Sequence, residues 1–113
     1  MVPIVVEADD GFEAFASLDA TRVEMEAIDV RDGVYRVFDA RGARLTLTTH
    51  GDEVLISEGE NEPADVAALT ERIRDYLTRV SARIGEARFV TRFGEVDPKH
   101  DPLERLLAVI MRR

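Results

Sequence analysis

The sequence predicts an α+β domain: an antiparallel β-meander of four to five strands, a long amphipathic helix packed on one face, and a shorter C-terminal helix. Three observations carry that expectation. Glycines recur at Gly33, Gly42, Gly51 and Gly59, at spacings of 9, 9 and 8. The segments between them alternate apolar and polar residues and are rich in β-branched side chains. Beyond Pro63 the apolar spacing changes from the period of a strand to that of a helix. At 113 residues the chain is expected to form one domain, 1–113.

In chain order, "PIVVEA" reads as a strand. "DGFEAFASLDATR" is compatible with a helix that turns Phe12 and Phe15 toward the sheet. "RVEMEAIDV" alternates like the three segments that follow it, "VYRVFDAR", "ARLTLTTH" and "DEVLIS", and is read as the first strand of the meander. Asp32-Gly33 and Gly51-Asp52 are turn pairs, because glycine accepts the positive φ of a tight hairpin. Alternation places Val23, Met25, Ala27, Tyr35, Val37, Leu45, Leu47, Val54 and Ile56 on one face, the expected core face. The reverse face is mixed: Glu24, Glu26, Ile28, Val34, Phe38 and Leu55 lie there among arginines and threonines.

Val66, Leu69, Ile73, Leu77, Val80 and Ile84 advance by 3, 4, 4, 3 and 4 residues, one stripe of a helix over about 64–84. Pro63 suits its first position, Asp65 its first turn, and Gly85 its left-handed end. The stripe is expected to cover the core face of the meander. "DPLERLLAVIMRR" signals the second helix, with Asp101 as cap, Pro102 at the first position and Glu104 completing a capping pattern. Between the helices, "ARFVTRFGEVDPKH" reads either as a short edge strand around Phe89 and Phe93 or as an ordered loop.

Composition narrows the function classes. Without cysteine there is no disulfide, thiolate nucleophile or cysteine-based zinc site, which suits a reducing cytoplasm. The N-terminal apolar run lacks a basic leader and is too short for a signal peptide, and no run approaches the ~20 residues of a membrane span. Net charge is −8, and it is unevenly spread: residues 1–65 hold sixteen acids and five arginines, residues 66–113 seven acids, nine arginines and Lys99. Such a field disfavours nucleic acid and favours a basic protein partner. The same asymmetry also lets the two halves neutralise each other within the fold.

Individual motifs point the same way. "EGENEP" places Glu58, Glu60 and Glu62 just ahead of the long helix, where acids favour the positive end of the helix dipole, and lacks the ligand spacing of a calcium loop. Asp9-Asp10-Gly11 and Asp29-x-x-Asp32-Gly33 read as turns. His50 and His100 form no metal-binding pair and read as surface residues. Ser17, Ser57 and Ser81 lie in no nucleophile elbow, and the glycines are dispersed rather than clustered for phosphate. Glu24 and Glu26 are expected to pair across strands with Arg36 or Arg44. Arg72, Tyr76, Arg79 and Arg83 form a basic ridge beside the helix stripe, read as core margin, with Asp75 and Arg79 as an ion pair along the helix.

The expected function is that of a small acidic, non-enzymatic binding protein: an inhibitor, immunity-type or regulatory partner of a basic protein. Its docking residues would be Glu24, Glu26, Phe38, Leu55, Glu58, Glu60 and Glu62, with no catalytic, cofactor-binding or metal-binding residues. The alternative is a homodimeric or larger structural domain, or one holding a small ligand between sheet and helix. A third reading is a hydrolase that uses Glu24 or Glu26 with His50 or His100.

Overall fold

Ile4, Val5 and Val6 are buried in succession, and because neighbouring side chains of a strand point to opposite faces, this requires cover on both sides of the sheet. The computed structural model describes residues 3–9, 11–59 and 63–112. It is an α+β fold whose strands are β1 (Ile4–Ala8), β2 (Gly11–Phe15), β3 (Arg36–Asp39), β4 (Arg44–His50) and β5 (Glu53–Glu58). They form one antiparallel sheet in the order β2-β1-β3-β4-β5. The helices are α1 (Leu18–Val23), α2 (Ala27–Arg31), α3 (Val66–Ile84), α4 (Glu86–Phe93) and α5 (Leu103–Ile110).

Two apolar layers result. On one face Val5, Phe12, Ala14 and Phe38 pack against Leu69, Ile73 and Leu77 of α3, with Phe89 and Leu106 from α4 and α5. On the other, Ile4, Val6, Phe15, Val37 and Val54 meet Met25 and Ala27, with Leu45, Leu47 and Ile56 at the margin. The expected sheet class, long helix and C-terminal helix are all present.

The segment read as the first meander strand, residues 22–30, is instead the end of α1, a short connection and most of α2. As a strand beside Val34–Phe38 it would have sent Glu24 and Glu26 onto the face that α3 covers, where burying carboxylates is costly. In the helical form both glutamates reach solvent while Met25 and Ala27 stay buried. Val23, expected in the core, is 79% exposed. Local chemistry starts α1: Ser17 Oγ accepts from the Ala20 N–H at 3.0 Å, and Thr21 Oγ1 donates to the Ser17 carbonyl at 2.7 Å. The place next to β3 goes to β1, registered Val6 to Val37 and Ile4 to Asp39.

The long helix covers the opposite sheet face from the one expected. It lies on the side of Phe38, not on that of Leu45, Leu47 and Ile56. The β1–β2 hairpin explains this, because Val5, Phe12 and Ala14 make that side apolar at the β2–β1–β3 end. Of the segment read as helical, residues 11–15 are therefore a strand, with Phe12 and Phe15 in opposite layers, while the part from Leu18 onward is helical as expected, in α1.

The helix ends differ in detail. Asp65 caps α3 by accepting from the Ala68 N–H at 2.9 Å, so Pro63 precedes the helix. Gly85 ends α3, but at φ 87° and ψ 157° it lies outside the left-handed helical region expected for it, and α4 follows at once in place of the expected edge strand or loop. Phe89 and Phe93 are one helical turn apart, with ring centroids 5.0 Å from each other. The cap of α5 is Pro102, while the Asp101 carboxylate accepts instead from the Asp97 N–H at 2.8 Å.

Phe38→Ala should destabilise the fold by about 3–5 kcal/mol as a core truncation, whereas Leu55→Ala should cost less than about 1 kcal/mol. Urea unfolding of the two variants reads the difference directly.

Candidate functional site

The turn between β3 and β4 is built around Asp39. Its Oδ1 accepts from the N–H groups of Arg41 at 2.9 Å and Ala43 at 3.1 Å, and its Oδ2 from the Arg41 guanidinium at 2.9 Å. Burial by itself raises the Asp39 pKa, but the Arg41 side chain and the two backbone donors outweigh it and hold the carboxyl below its ordinary value. Gly42, at φ 82°, lies under the start of α3: a Cβ there would sit 2.4 Å from the Asp65 carbonyl carbon. The turn thus sets both where β4 starts and where α3 starts.

From it, β4 and β5 run as a hairpin in unbroken register, Leu45 to Glu58 at the base and His50 to Glu53 at the tip. Gly51 takes φ 61° at the first position of the two-residue turn. Arg31 of α2 donates to the Gly51 carbonyl at 2.7 Å and holds the tip to the helical layer. Arg44, Thr46 and Thr48 of β4, and Glu53, Leu55 and Ser57 of β5, are all exposed. By alternation they share the sheet face of Phe38, with α3 covering only the other end of that face. Leu55, 37% exposed, is the apolar residue among them.

The sheet's two edges are treated differently. Along β2 the C-terminal segment closes the edge: Met111 bridges Ala14, and the Arg112 N–H donates to the Ala14 carbonyl at 2.7 Å. The Arg112 guanidinium reaches Glu13 at 3.0 Å and Glu24 at 3.4 Å, and these carboxylates raise its pKa, the Glu13 hydrogen bond most. Along β5 no strand pairs with the outer side among the described residues.

These placements sort the expected docking residues. Leu55 and Glu58 lie on β5, both exposed. Phe38 must leave the set: it is buried beneath α3, with the Arg72 guanidinium 5.1 Å from its ring centroid. Glu24 is engaged by Arg112, and Glu26 is exposed at the start of α2, in the helical layer behind the sheet. Glu60 and Glu62 fall outside the described residues. Glu53 and Asp52 are absent from the expected docking set, although their position beside the Gly51 turn is legible in the sequence; their place at the outer strand follows from the strand order.

Other expected contacts are also redistributed. Arg36 pairs with Glu7 at 3.2 Å rather than with Glu24 or Glu26, and Arg72 joins the same Glu7 carboxylate. Tyr76 turns into the core instead of completing a ridge, and Arg79 Nε donates to the Asp75 backbone carbonyl at 3.3 Å rather than to its carboxylate. His50 closes the hairpin tip. His100 Nδ1 lies 2.7 Å from Asp97 Oδ2 on an exposed turn, and this hydrogen bond, with the Lys99 N–H, lowers the Asp97 pKa. Among the described residues no group of three or more histidine or acidic side chains is placed to hold a metal, and no helix is long and apolar enough to cross a membrane.

A groove of about 670 Å³ runs along the closed edge, walled by Phe12, Phe15, Met25, Tyr76, Phe93 and Met111. Tyr76 is 8% exposed, and its hydroxyl has no hydrogen-bond partner among the described residues. Comparison with protein-family models, curated proteins and solved structures finds no match.

The Asp39 turn carries a pH prediction. Its lowered folded-state pKa means that its contribution is complete above the unfolded value near 3.8 and is lost as pH falls through the folded value. Asp39→Asn should therefore unfold at lower urea concentration at pH 7, and the gap to the parent should shrink as pH drops below 3.8.

Proposed function

We propose that this chain is a small acidic binding protein, an inhibitor, immunity-type or regulatory partner that docks on a basic protein through the β4–β5 hairpin. The observation that carries this reading is the open outer strand: β5 has Glu53 and Glu58 at its ends, exposed Leu55 between them, and Asp52 in the adjoining turn. Carboxylates at the rim steer a cationic partner to the surface and set the association rate, while the apolar centre and polar backbone supply contact once it arrives. Arg44 on the neighbouring strand confines the acidic character to the outermost strand and turn. Absence of cysteine fits a reducing compartment, and the cytoplasm is part of the same reading.

The immobilised chain should retain basic proteins from a lysate at about 50 mM salt and release them near 0.5 M, as screened electrostatics requires. The double variant Glu53→Lys with Glu58→Lys should lose that retention. Salt-independent capture, or capture untouched by the charge reversal, contradicts the reading.

The groove along β2 favours a second reading, a domain that holds a small amphipathic molecule against Phe12 with Tyr76 as hydrogen-bond donor. Titration with small aromatic acids separates the two. Shifts at Phe12, Tyr76 and Ile110 support the ligand-holding domain, and unperturbed groove signals discount it.

A further inference from the structure

We infer that the docking edge works by strand addition: an extended segment of the basic partner joins β5 as a further strand of the sheet, its cationic side chains meeting Glu53 and Glu58. This rests on the binding reading above and adds the mode of recognition and the chemistry of the occupant.

Every second residue of an end strand directs its backbone N–H and C=O groups away from its one neighbour. Sheet edges usually carry a device that blocks another strand: a proline, a charged side chain (lysine above all, and β5 has only the carboxylates at its two ends), a bulge, or a covering segment. The β2 edge has such a cover, the Met111–Arg112 segment held by the Ala14 bridge and the Glu13 and Glu24 ion pairs. In β5 the sequence "EVLISE" has neither proline nor lysine, and the unbroken register from Leu45–Glu58 to His50–Glu53 leaves no bulge. Behind it, α1 and α2 support the strand through Ala20 and Val30, which pack in the same layer as Val54 and Ile56. The edge is therefore held in extended form before any partner arrives, and extended peptides bind most readily to a strand that is already ordered.

Charge decides the occupant. A second copy of this chain pairing along β5 would be antiparallel about a two-fold axis. Full overlap, with Leu55 opposite Leu55, sets Asp52 against Glu58 at both ends, and like charges directly opposite are unfavourable. The same carboxylates suit a segment with arginine or lysine at each end and β-branched residues between, one of which covers Leu55. The acids thus discourage self-association and select a cationic strand.

The test uses the full chain, isotopically labelled, with three synthetic peptides: alternating valine and threonine capped by arginine at both ends, the same core capped by glutamate, and the arginine-capped peptide with a central proline. The arginine-capped strand should bind and slow amide exchange within Glu53–Glu58 by at least about tenfold, and the other two should not. In the charge-reversed variant (E53K with E58K) the preference should pass to the glutamate-capped peptide. Equal binding of the proline peptide, or perturbation mapping away from β5, overturns strand addition while leaving acidic docking intact. A dimer in light scattering with protected β5 amides also overturns it, since the occupant is then a second copy. If no arginine-capped peptide binds and no basic protein is captured, both readings fall.

Discussion

Two interior strands, β1 and β3, carry adjacent buried residues, Ile4-Val5-Val6 and Val37-Phe38. Because adjacent side chains leave a strand in opposite directions, each pair demands a cover on both sheet faces. The chain meets that demand unequally. Short helices α1 and α2 cover one face across to β4 and β5, while α3, α4 and α5 cover the other only over the β2–β1–β3 end. The polar reach of β4 and β5 on that second face, from Arg44 to Ser57, follows from this inequality. Where bare sheet is available to a partner is thus a consequence of how the core is sealed.

Charge follows the same geometry. The basic C-terminal half returns to the acidic N-terminal half through Arg72 on Glu7 and through Arg112 on Glu13 and Glu24. The Arg112 pairs are exposed and contribute roughly 0–1 kcal/mol each, while the Arg72–Glu7 pair is partly buried. Their effect on the field is larger, because they neutralise Glu7, Glu13 and Glu24, whereas at the hairpin Glu58 has only the electrostatic influence of Arg41 nearby. A chain of net charge −8 then presents Asp52, Glu53 and Glu58 beside an edge that no strand of the described residues pairs, at the end of the sheet farthest from the Arg112 contacts. Electrostatics of this kind guides encounter, while lasting affinity needs contacts such as Leu55 and the strand backbone.

The sheet's two ends show how the same hazard receives two treatments. An unpaired edge invites other strands, and at β2 the chain answers with its own last described residues. At β5 the strand carries Glu53 and Glu58 at its ends, with Asp52 in the adjoining turn. This difference links the proposed docking surface to the fold: the edge that no described strand pairs is also the one that carries Asp52, Glu53 and Glu58.

Much of this was legible in the sequence where the signal is local. The 3.6-residue stripe from Val66 to Ile84 marked α3, the Gly51-Asp52 turn marked the β4–β5 hairpin, and strand alternation identified Leu55 as an outward apolar residue. Alternation misled at "RVEMEAIDV", because the connection between two short helices buries Met25, and the start of α2 buries Ala27, as well as a strand can. Nothing local distinguished the face of Phe38 from that of Leu45, so Phe38 looked available when it was core. Turn chemistry and periodicity act between neighbours in the chain and so are written in the sequence. The insertion of β1 beside β3, the face that α3 covers and the edge that stays open depend on contacts between distant segments, and only the tertiary structure decided them.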